Sequence, residues 1–133
     1  MCKFTITSGV VVLDKHSRIL LKLDPTRGWE LPGGIVEDNE NVQKAAVREV
    51  KEETGVDIDI IRFCGVSQEL SRNICNMWWL GKPVTIELQT SIESLEVGFF
   101  SIEEALRLIK NNEFKKELLM CLENENHPFF ITF

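Results

Sequence analysis

Three glutamates spaced for one face of a helix are the residues of this chain best suited to chemistry. Glu49, Glu52 and Glu53 stand at the i, i+3 and i+4 spacing, which places their side chains on one side of a helix. Like charges at this spacing destabilise an isolated helix by about 0.2–0.5 kcal/mol per pair, so we expect a cation beside them. Because hard divalent cations such as Mg²⁺ prefer carboxylate oxygens, the triplet predicts a metal site.

A longer pattern surrounds this triplet. Residues 34–56 read G-x5-E-x7-R-E-U-x-E-E-x-G-U, where U is an aliphatic residue, and every fixed position of that pattern is filled. The fixed positions are Gly34, Glu40, Arg48, Glu49, Val50, Glu52, Glu53, Gly55 and Val56. This pattern resembles the signature of the Nudix hydrolases. So many specified positions at set spacing rarely coincide by chance, so the resemblance is specific.

The resemblance implies roles for the matching residues. Family members use Mg²⁺ or Mn²⁺, and here Glu49, Glu52 and Glu53 would be the metal ligands. The carbonyl of Gly34 and the carboxylate of Glu40 would be further metal contacts. Arg48 would hold the glutamates in place through charge-assisted hydrogen bonds, which makes it a fourth candidate catalytic residue beside the three ligands.

The general base is open between two places. In some family members it lies within the signature, and in others on a later acidic loop. Here the second kind would be Glu93 or Glu96, in the segment before a short strand that ends at Phe99 and Phe100. A solvated loop residue is the alternative interpretation of Glu93.

The implied reaction is hydrolysis of a nucleoside diphosphate linked to a group X. Dinucleoside polyphosphate hydrolases of the family tend to carry a downstream tyrosine, which this chain lacks, and ADP-ribose hydrolases tend to carry a proline, absent here between Gly55 and Lys82. The resemblance therefore predicts a MutT-like enzyme for a nucleoside triphosphate or related nucleotide. The alternatives are a hydrolase of a nucleotide sugar such as ADP-ribose and a non-catalytic nucleotide sensor.

Four residues outside the signature are candidate substrate contacts. Lys22 is on a strand close to the signature and could reach a phosphate, and Arg27 is in a loop marked by Pro25 and Gly28. Trp78 and Trp79 are neighbours on a strand, so they face opposite sides. One of them could stack on a base, and packing against a helix is the alternative.

The elements that must position these residues can be predicted from the same sequence. Asn41 is the best N-cap for a helix over 42–54, and Gly55 is suited to end it. Before the helix, a strand over 3–13 with a possible bulge at Ser8-Gly9 and a strand over 19–23 predict a hairpin. The Trp29–Gly34 lead-in predicts a tight turn.

After the signature the pattern alternates between strands and helices. We expect strands over 57–65, 73–80 and 84–90, with a turn at 81–83, then a short strand up to Phe100. Ser101 and Glu104 form a capping box for one helix, and a second helix is expected over 113–123. The apolar tail over 127–133 suits a short edge strand or packing on the core. This order predicts an α/β domain, and the resemblance implies a Nudix α/β/α sandwich with a mixed β-sheet flanked by helices.

Composition bounds the remaining possibilities. The 133 residues suit one domain over 1–133, and no apolar run approaches the ~20 residues that span a bilayer. The start lacks the apolar core of a signal peptide, so we expect a cytoplasmic protein with no membrane partner. A net charge of −6 and a pI near 5.0 argue against a stable nucleic-acid partner. The four scattered cysteines predict buried thiols, and family members are often homodimers.

Overall fold

The computed structural model describes residues 1–85 and 87–133 and divides most of them between two sheets and three α-helices. The strands are β1 (Thr5–Val12), β2 (Ile19–Asp24), β3 (Gly28–Glu30), β4 (Gly33–Ile35), β5 (Ile58–Glu69), β6 (Ile74–Pro83), β7 (Val97–Phe100) and β8 (Phe129–Thr132). The helices are α1 (Val42–Thr54), α2 (Ile102–Leu108) and α3 (Asn112–Leu122). None of the described helices is long and apolar enough to cross a membrane.

The larger sheet is mixed and has the strand order β4-β1-β6-β5-β8. Strand β1 pairs parallel with β6 and antiparallel with β4, while β5 pairs antiparallel with β6 and parallel with β8. A smaller antiparallel sheet has the order β3-β2-β7. The tail therefore forms the edge strand that its apolar sequence predicts.

The core lies on both sides of the larger sheet because neighbouring residues of a strand face opposite ways. Val10 and Val12 pack in one cluster with Val50 of α1. Val11, between them, packs in the other cluster with residues of α2 and α3, such as Leu118. Helices thus cover both faces, which confirms the α/β/α sandwich with a mixed sheet.

Helix α1 begins and ends where local chemistry predicts. The side chain of Asn41 accepts hydrogen bonds from the backbone N–H groups of Gln43 and Lys44, at 2.9 and 3.1 Å. Gly55 ends the helix with φ of 81°, a left-handed conformation that glycine adopts without steric cost. These two caps fix the register of the glutamates along the helix.

The first two strands differ from the predicted hairpin. β1 and β2 belong to different sheets. A single antiparallel bridge, between Leu13 before the turn and Ile19 after it, joins the two segments. The predicted bulge at Ser8-Gly9 is also wrong, because β1 pairs with β6 without interruption from Thr5 to Val12. Pairing with distant strands therefore outweighs the local hairpin preference.

The predicted turn at 81–83 is wrong as well, because β6 continues through it to Pro83. A Cβ on Gly81 would lie 3.0 Å from Val10 Cγ1, so this glycine permits close packing inside a strand. The strand predicted over 84–90 is not found in its described residues, and Ile86 lies outside them. The N–H groups of Val84 and Thr85 donate to the carbonyl of Asp57 instead.

Smaller corrections complete the fold. The Trp29–Gly34 lead-in contributes to the short strands β3 and β4 on either side of a turn. Strand β5 extends to Glu69, beyond the end at Gly65 that the sequence predicts. All four cysteines are free thiols, but only Cys64 and Cys121 are buried, and Cys2 is exposed.

Candidate active site

The glutamate face of α1 lies against the turn that precedes it. Strand β4 pairs with β1 through Ser8 and Gly34, and the hydroxyl of Ser8 donates a 2.7 Å hydrogen bond to the carbonyl of Val42 at the start of α1. The strand and the helix are therefore tied together at one end. This brings Gly33 and Gly34 beside the carboxylates predicted as metal ligands.

Arg48 connects four groups of the signature. Its Nε and Nη2 donate to the two carboxylate oxygens of Glu40 at 2.7 and 2.9 Å. Its Nη1 donates to Glu49 at 2.9 Å and to Glu52 at 3.1 Å, and Nη2 also reaches the carbonyl of Ile35 at 3.2 Å. A planar guanidinium can serve several acceptors in this way, which a lysine ammonium at the same place could not.

The pKa values of two glutamates in this network, Glu40 and Glu49, shift in opposite directions. Hydrogen bonds from Arg48 lower the pKa of Glu40 to about 2, so Glu40 is ionised at neutral pH. Burial raises the pKa of Glu49 above its usual value, although the Arg48 hydrogen bond opposes the shift. Glu49 therefore lies in a setting where additional positive charge would favour its ionised form.

Glu53 is buried and held on both oxygens. Its Oε1 accepts a hydrogen bond from the backbone N–H of Gly33 at 2.7 Å, and its Oε2 accepts one from Lys22 Nζ, also at 2.7 Å. Burial nevertheless raises the pKa of Glu53, because desolvation outweighs these contacts. The carboxylate is thus fixed in position while remaining short of compensating charge.

Lys22 is a buried partner of carboxylates. Its side chain is 1% exposed, and Nζ lies 3.5 Å from Glu30 and 4.0 Å from Asp24 in addition to its contact with Glu53. The ammonium group therefore contacts the signature from the buried side, through Glu53. This placement suits an orienting role for Lys22, and the predicted contact with a substrate phosphate stays a prediction.

Arg27 lies at the surface of the same charged group. Its guanidinium donates to Glu30 through Nε at 2.9 Å and through Nη2 at 2.8 Å, and to Asp24 at 3.1 Å. The side chain is 55% exposed, so it can still contact a ligand. Of the four candidate substrate contacts, Arg27 and Trp78 line the cavity described below.

Gly34 must lack a side chain for Glu49 to occupy its position. A Cβ added at Gly34 would lie 2.4 Å from Glu49 Cδ and 2.5 Å from Glu49 Oε2, far closer than nonbonded atoms approach. The fixed glycine of the signature is thus explained by close approach of a carboxylate to the backbone.

The donor set suits a hard divalent cation. Within residues 1–85 and 87–133, no three acidic, histidine or cysteine side chains already converge on one point, and the signature carboxylates contact Arg48 and Lys22. Even so, four glutamates of the signature share these two cationic side chains, and burial raises the pKa of both Glu49 and Glu53. Oxygen-only donors with uncompensated charge fit Mg²⁺ or Mn²⁺.

A cavity of about 340 Å³ opens beside the Gly33-Gly34 turn, and its described lining residues do not include the signature glutamates themselves. Its wall includes Gly33 and Gly34 of the turn, Arg27, and the residues Trp78 and Glu117 from the far side. This size lies within the range of small-molecule sites. A ligand bound there could place one end beside the glutamates and the other against the larger sheet.

The two tryptophans face opposite layers, as their adjacent positions predict. Trp78 packs in the core cluster below α2 and α3, and its Nε1 donates to Ser67 Oγ at 3.0 Å. Trp79 packs on the α1 side, where its Nε1 donates to Ser8 Oγ at 2.9 Å. Only Trp78 of this pair lines the cavity.

The two acidic loop residues make no side-chain hydrogen bond or ion pair with the signature in the described part of the chain. Glu93 and Glu96 are exposed in the segment before β7, and neither is among the described residues that line the cavity. The backbone carbonyl of Glu96 accepts a hydrogen bond from Leu23 N at 2.8 Å, which ties the loop to β2. Their predicted alternative role as general base stays a prediction.

The sequence analysis missed Glu117, which is 4% exposed and lines the cavity. A signal for it existed in the sequence. Phe114, Leu118 and Cys121 stand at helical spacing around Glu117, so an acidic residue occupies the apolar face of α3. Buried acidic residues are rare and often functional.

Comparison with known proteins agrees with the geometry. A NUDIX domain model matches residues 3–121. A MutT-like protein of Streptomyces ambofaciens is 32% identical over 97 residues, which cover 73% of this chain and 63% of that protein. More generally, the chain spans about half to two thirds of the length of the first curated relatives it matches.

Solved structures share the whole fold. The chain is similar to a NUDIX hydrolase from Nitrosomonas europaea, with a TM-score of 0.85 and 23% identity, over 98% of this chain and 80% of that one. It is also similar to an ADP-ribose pyrophosphatase from Streptococcus suis, with a TM-score of 0.78 and 26% identity, over 98% of this chain and 100% of that one. The solved structures show the shared fold, and the NUDIX domain match over residues 3–121 shows that the chain belongs to the Nudix hydrolase family.

Proposed function

We propose that this chain hydrolyses the diphosphate linkage of a nucleoside diphosphate joined to a group X, with a nucleoside triphosphate or a related nucleotide as substrate. The observation that carries this proposal is the carboxylate face of α1 beside a turn that also lines a cavity. Glu49 and Glu53 lie beside the Gly33-Gly34 turn, and the same turn forms part of the cavity wall. A nucleotide in the cavity would place its phosphates next to these carboxylates.

Glu49, Glu52 and Glu53 would hold Mg²⁺ or Mn²⁺, with Glu40 and the Gly34 carbonyl as further contacts. A bound divalent cation would neutralise phosphate charge and lower the pKa of bound water. Arg48 keeps Glu49 and Glu52 together through one nitrogen. These contacts are made by the protein itself, so the carboxylates are oriented before any ligand binds.

Other residues of the chain would orient the substrate and the base. Lys22 fixes Glu53 through Oε2, and Arg27 places a partly exposed guanidinium on the cavity wall, where it could bind a phosphate oxygen. We place the general base within the signature, and Glu93 and Glu96 stay the alternative. Among the four fixed glutamates of the signature, Glu52 has the side chain most exposed to solvent.

The nature of X is the least constrained part of the proposal. Similarity to the Streptococcus suis ADP-ribose pyrophosphatase supports including ADP-ribose as an alternative substrate. A nucleotide sensor without turnover is a second alternative, although its signature would not need every catalytic position to be filled. The expectations of a cytoplasmic location and of a homodimer stay predictions.

Turnover of a substrate panel tests the proposal. The products measured would be nucleoside monophosphate with pyrophosphate from nucleoside triphosphates, and AMP with ribose 5-phosphate from ADP-ribose, each with Mg²⁺, with Mn²⁺ and with chelator. We expect metal-dependent release that falls at least about a hundredfold in Glu53→Gln, because the change removes one ligand charge at nearly constant shape. Glu113→Gln, an exposed glutamate of α3, is the matched control and should retain full activity.

Two results would overturn the assignment. Release at an unchanged rate in chelator, or in Glu53→Gln, would show that the signature carboxylates are not the reaction centre. Tight nucleotide binding without release from any compound of the panel would favour the sensor.

A further inference from the structure

The wall of the cavity opposite the signature contains a connected series of polar side chains. The amide nitrogen of Asn76 donates to Ser67 Oγ at 3.1 Å and to Glu69 Oε2 at 2.9 Å. The amide oxygen of Asn76 accepts a hydrogen bond from the hydroxyl of Thr7. Both ends of this amide are therefore committed, which fixes the groups that lie deeper in the wall.

Glu117 stands at the deep end of this series and belongs to α3. One of its oxygens, Oε2, accepts hydrogen bonds from the hydroxyl of Ser67 and, at 3.1 Å, from Nε1 of Trp78. In the part of the chain that the structure describes, Oε1 has no hydrogen-bond partner. It is also not one of the fully buried polar atoms that lack a partner, so it retains some accessible surface. Since Glu117 lines the cavity, Oε1 is the oxygen open to a ligand.

An open carboxyl oxygen at this position is costly for the fold. Glu117 is 4% exposed and has Leu118 and Cys121 for neighbours on the apolar side of α3. Burial raises its pKa to about 7, although hydrogen bonds from Ser67 and Trp78 oppose the shift. An apolar side chain would pack there at lower cost, so the open oxygen is better explained by a ligand contact.

We propose that Glu117 selects the base of the bound nucleotide, with Oε1 accepting a hydrogen bond from a ring or exocyclic N–H of that base. The proposal rests on the proposed function, since it places the base end of the nucleotide in the cavity. The rings of Trp78 and Phe114 on the cavity wall provide apolar contact for a planar heterocycle. A base that leaves Oε1 without a donor would be disfavoured, because a buried acceptor would then be unpaired.

Protonation of Glu117 should change this selection. Around neutral pH it passes between a carboxylate, which only accepts, and a carboxylic acid, which also donates. The charged and titratable groups that face it from the packed elements or across the cavity are Glu69, Arg72, Glu113, Cys121, Arg27 and Glu30. Above pH 7 we expect a stronger preference for bases that present N–H groups than at pH 6.

The test compares base preference in three proteins. Values of kcat/KM are measured for four nucleoside triphosphates that differ only in the base, at pH 6 and pH 8, for wild type, Glu117→Gln and the control Glu125→Gln, which changes an exposed glutamate after α3. We expect the ratio between best and worst base to change by about tenfold in Glu117→Gln and to lose its pH dependence. Glu125→Gln should match wild type in both respects.

Binding supplies a readout that does not depend on turnover. Calorimetric titration of the four nucleoside monophosphates in chelator should show the same loss of selectivity in Glu117→Gln. A purely structural Glu117 would lower the melting temperature or all rates together and leave the base ratio and its pH dependence unchanged, which would overturn the inference. If wild type hydrolyses no nucleotide, the proposed function fails, and the titrations alone decide the role of Glu117.

Discussion

At the scale of single residues, the buried contact between Lys22 and Glu53 is the least expected feature of the site. Both side chains are nearly inaccessible, and Nζ and Oε2 lie 2.7 Å apart. Removing two charges from water is costly, and attraction between them recovers that cost only at good geometry. The ion pair therefore orients the Glu53 carboxylate and adds little net stability to the fold.

Replacing Lys22 alone should destabilise the protein more than replacing Lys22 and Glu53 together. We expect Lys22→Met to lower the free energy of unfolding by about 3–5 kcal/mol, because Glu53 would be left buried without its cation. The double variant Lys22→Met/Glu53→Gln should recover a large part of that loss. Urea denaturation at pH 7 measures both, with the exposed Lys116→Met as control. A loss below about 1 kcal/mol in Lys22→Met would contradict a buried ion pair.

Gly34 permits a second prediction at this scale. In Gly34→Ala the new Cβ would meet the Glu49 carboxyl group, and that flexible side chain can move away at little cost to stability. We expect a change below about 1 kcal/mol in stability together with a loss of turnover of about a hundredfold, since small displacements of catalytic groups are costly. Melting temperature and kcat/KM separate the two effects. Wild-type turnover would show that the position of Glu49 is unimportant.

At the scale of elements, α1 and α3 contribute in different ways. Helix α1 is set by local signals, with Asn41 and Gly55 at its ends and Arg48 bridging it to Ile35 of β4. Helix α3 is set by packing, and its one buried acid, Glu117, contacts Ser67 of β5 and Trp78 of β6. The attachment of α3 should therefore depend on the protonation state of Glu117.

The sign of that dependence follows from the pKa. Folding raises the pKa of Glu117 from 4.5 to about 7, so the folded state binds the proton more tightly than the unfolded state. Its contribution to stability is complete below about pH 4.5 and is lost as pH rises through 7. A shift of this size corresponds to about 3 kcal/mol.

Urea denaturation at pH 5 and pH 8 tests this linkage. From pH 5 to pH 8, wild type should lose about 2.5 kcal/mol relative to Glu117→Gln, which has no proton to release at this position. The comparison with Glu117→Gln cancels other titrating groups, and the exposed Glu125→Gln should follow wild type. Parallel pH profiles in all three proteins would contradict the burial of an ionisable Glu117.

At the scale of the whole molecule, charge and function are connected. The chain has a net charge of −6, and its signature glutamates outnumber the cations that contact them. A phosphate ester would be repelled by such a surface unless a cation lay between them. The fold therefore supplies the carboxylates and the cavity, and the proposed metal supplies the missing positive charge.

Mg²⁺ should accordingly stabilise the folded chain. A ligand that binds only the native state at one hundred times its dissociation constant adds about 2.7 kcal/mol, so we expect millimolar Mg²⁺ to raise the melting temperature by several degrees. The rise should disappear in Glu49→Gln/Glu53→Gln, while a monovalent salt of equal ionic strength serves as control. An equal rise in the variant would place the stabilising cation elsewhere.

The sequence alone determined the features that depend on short spacing. The glutamates, Arg48 and Gly34 are identified by their positions along one segment, and the caps Asn41 and Gly55 act on backbone groups within a few residues. Local hydrogen bonds and local helix geometry are sufficient for such predictions. They also led to the family, since every fixed position of the signature lies within 34–56.

Tertiary structure decided everything that depends on partners distant in sequence. Lys22 meets Glu53 from another element, β1 and β2 separate into different sheets, and β6 passes through the expected turn at 81–83. Glu117 reaches the cavity only because α3 packs across β5 and β6. Burial and long-range strand pairing set these outcomes, and both outweigh the local preferences from which a sequence is interpreted.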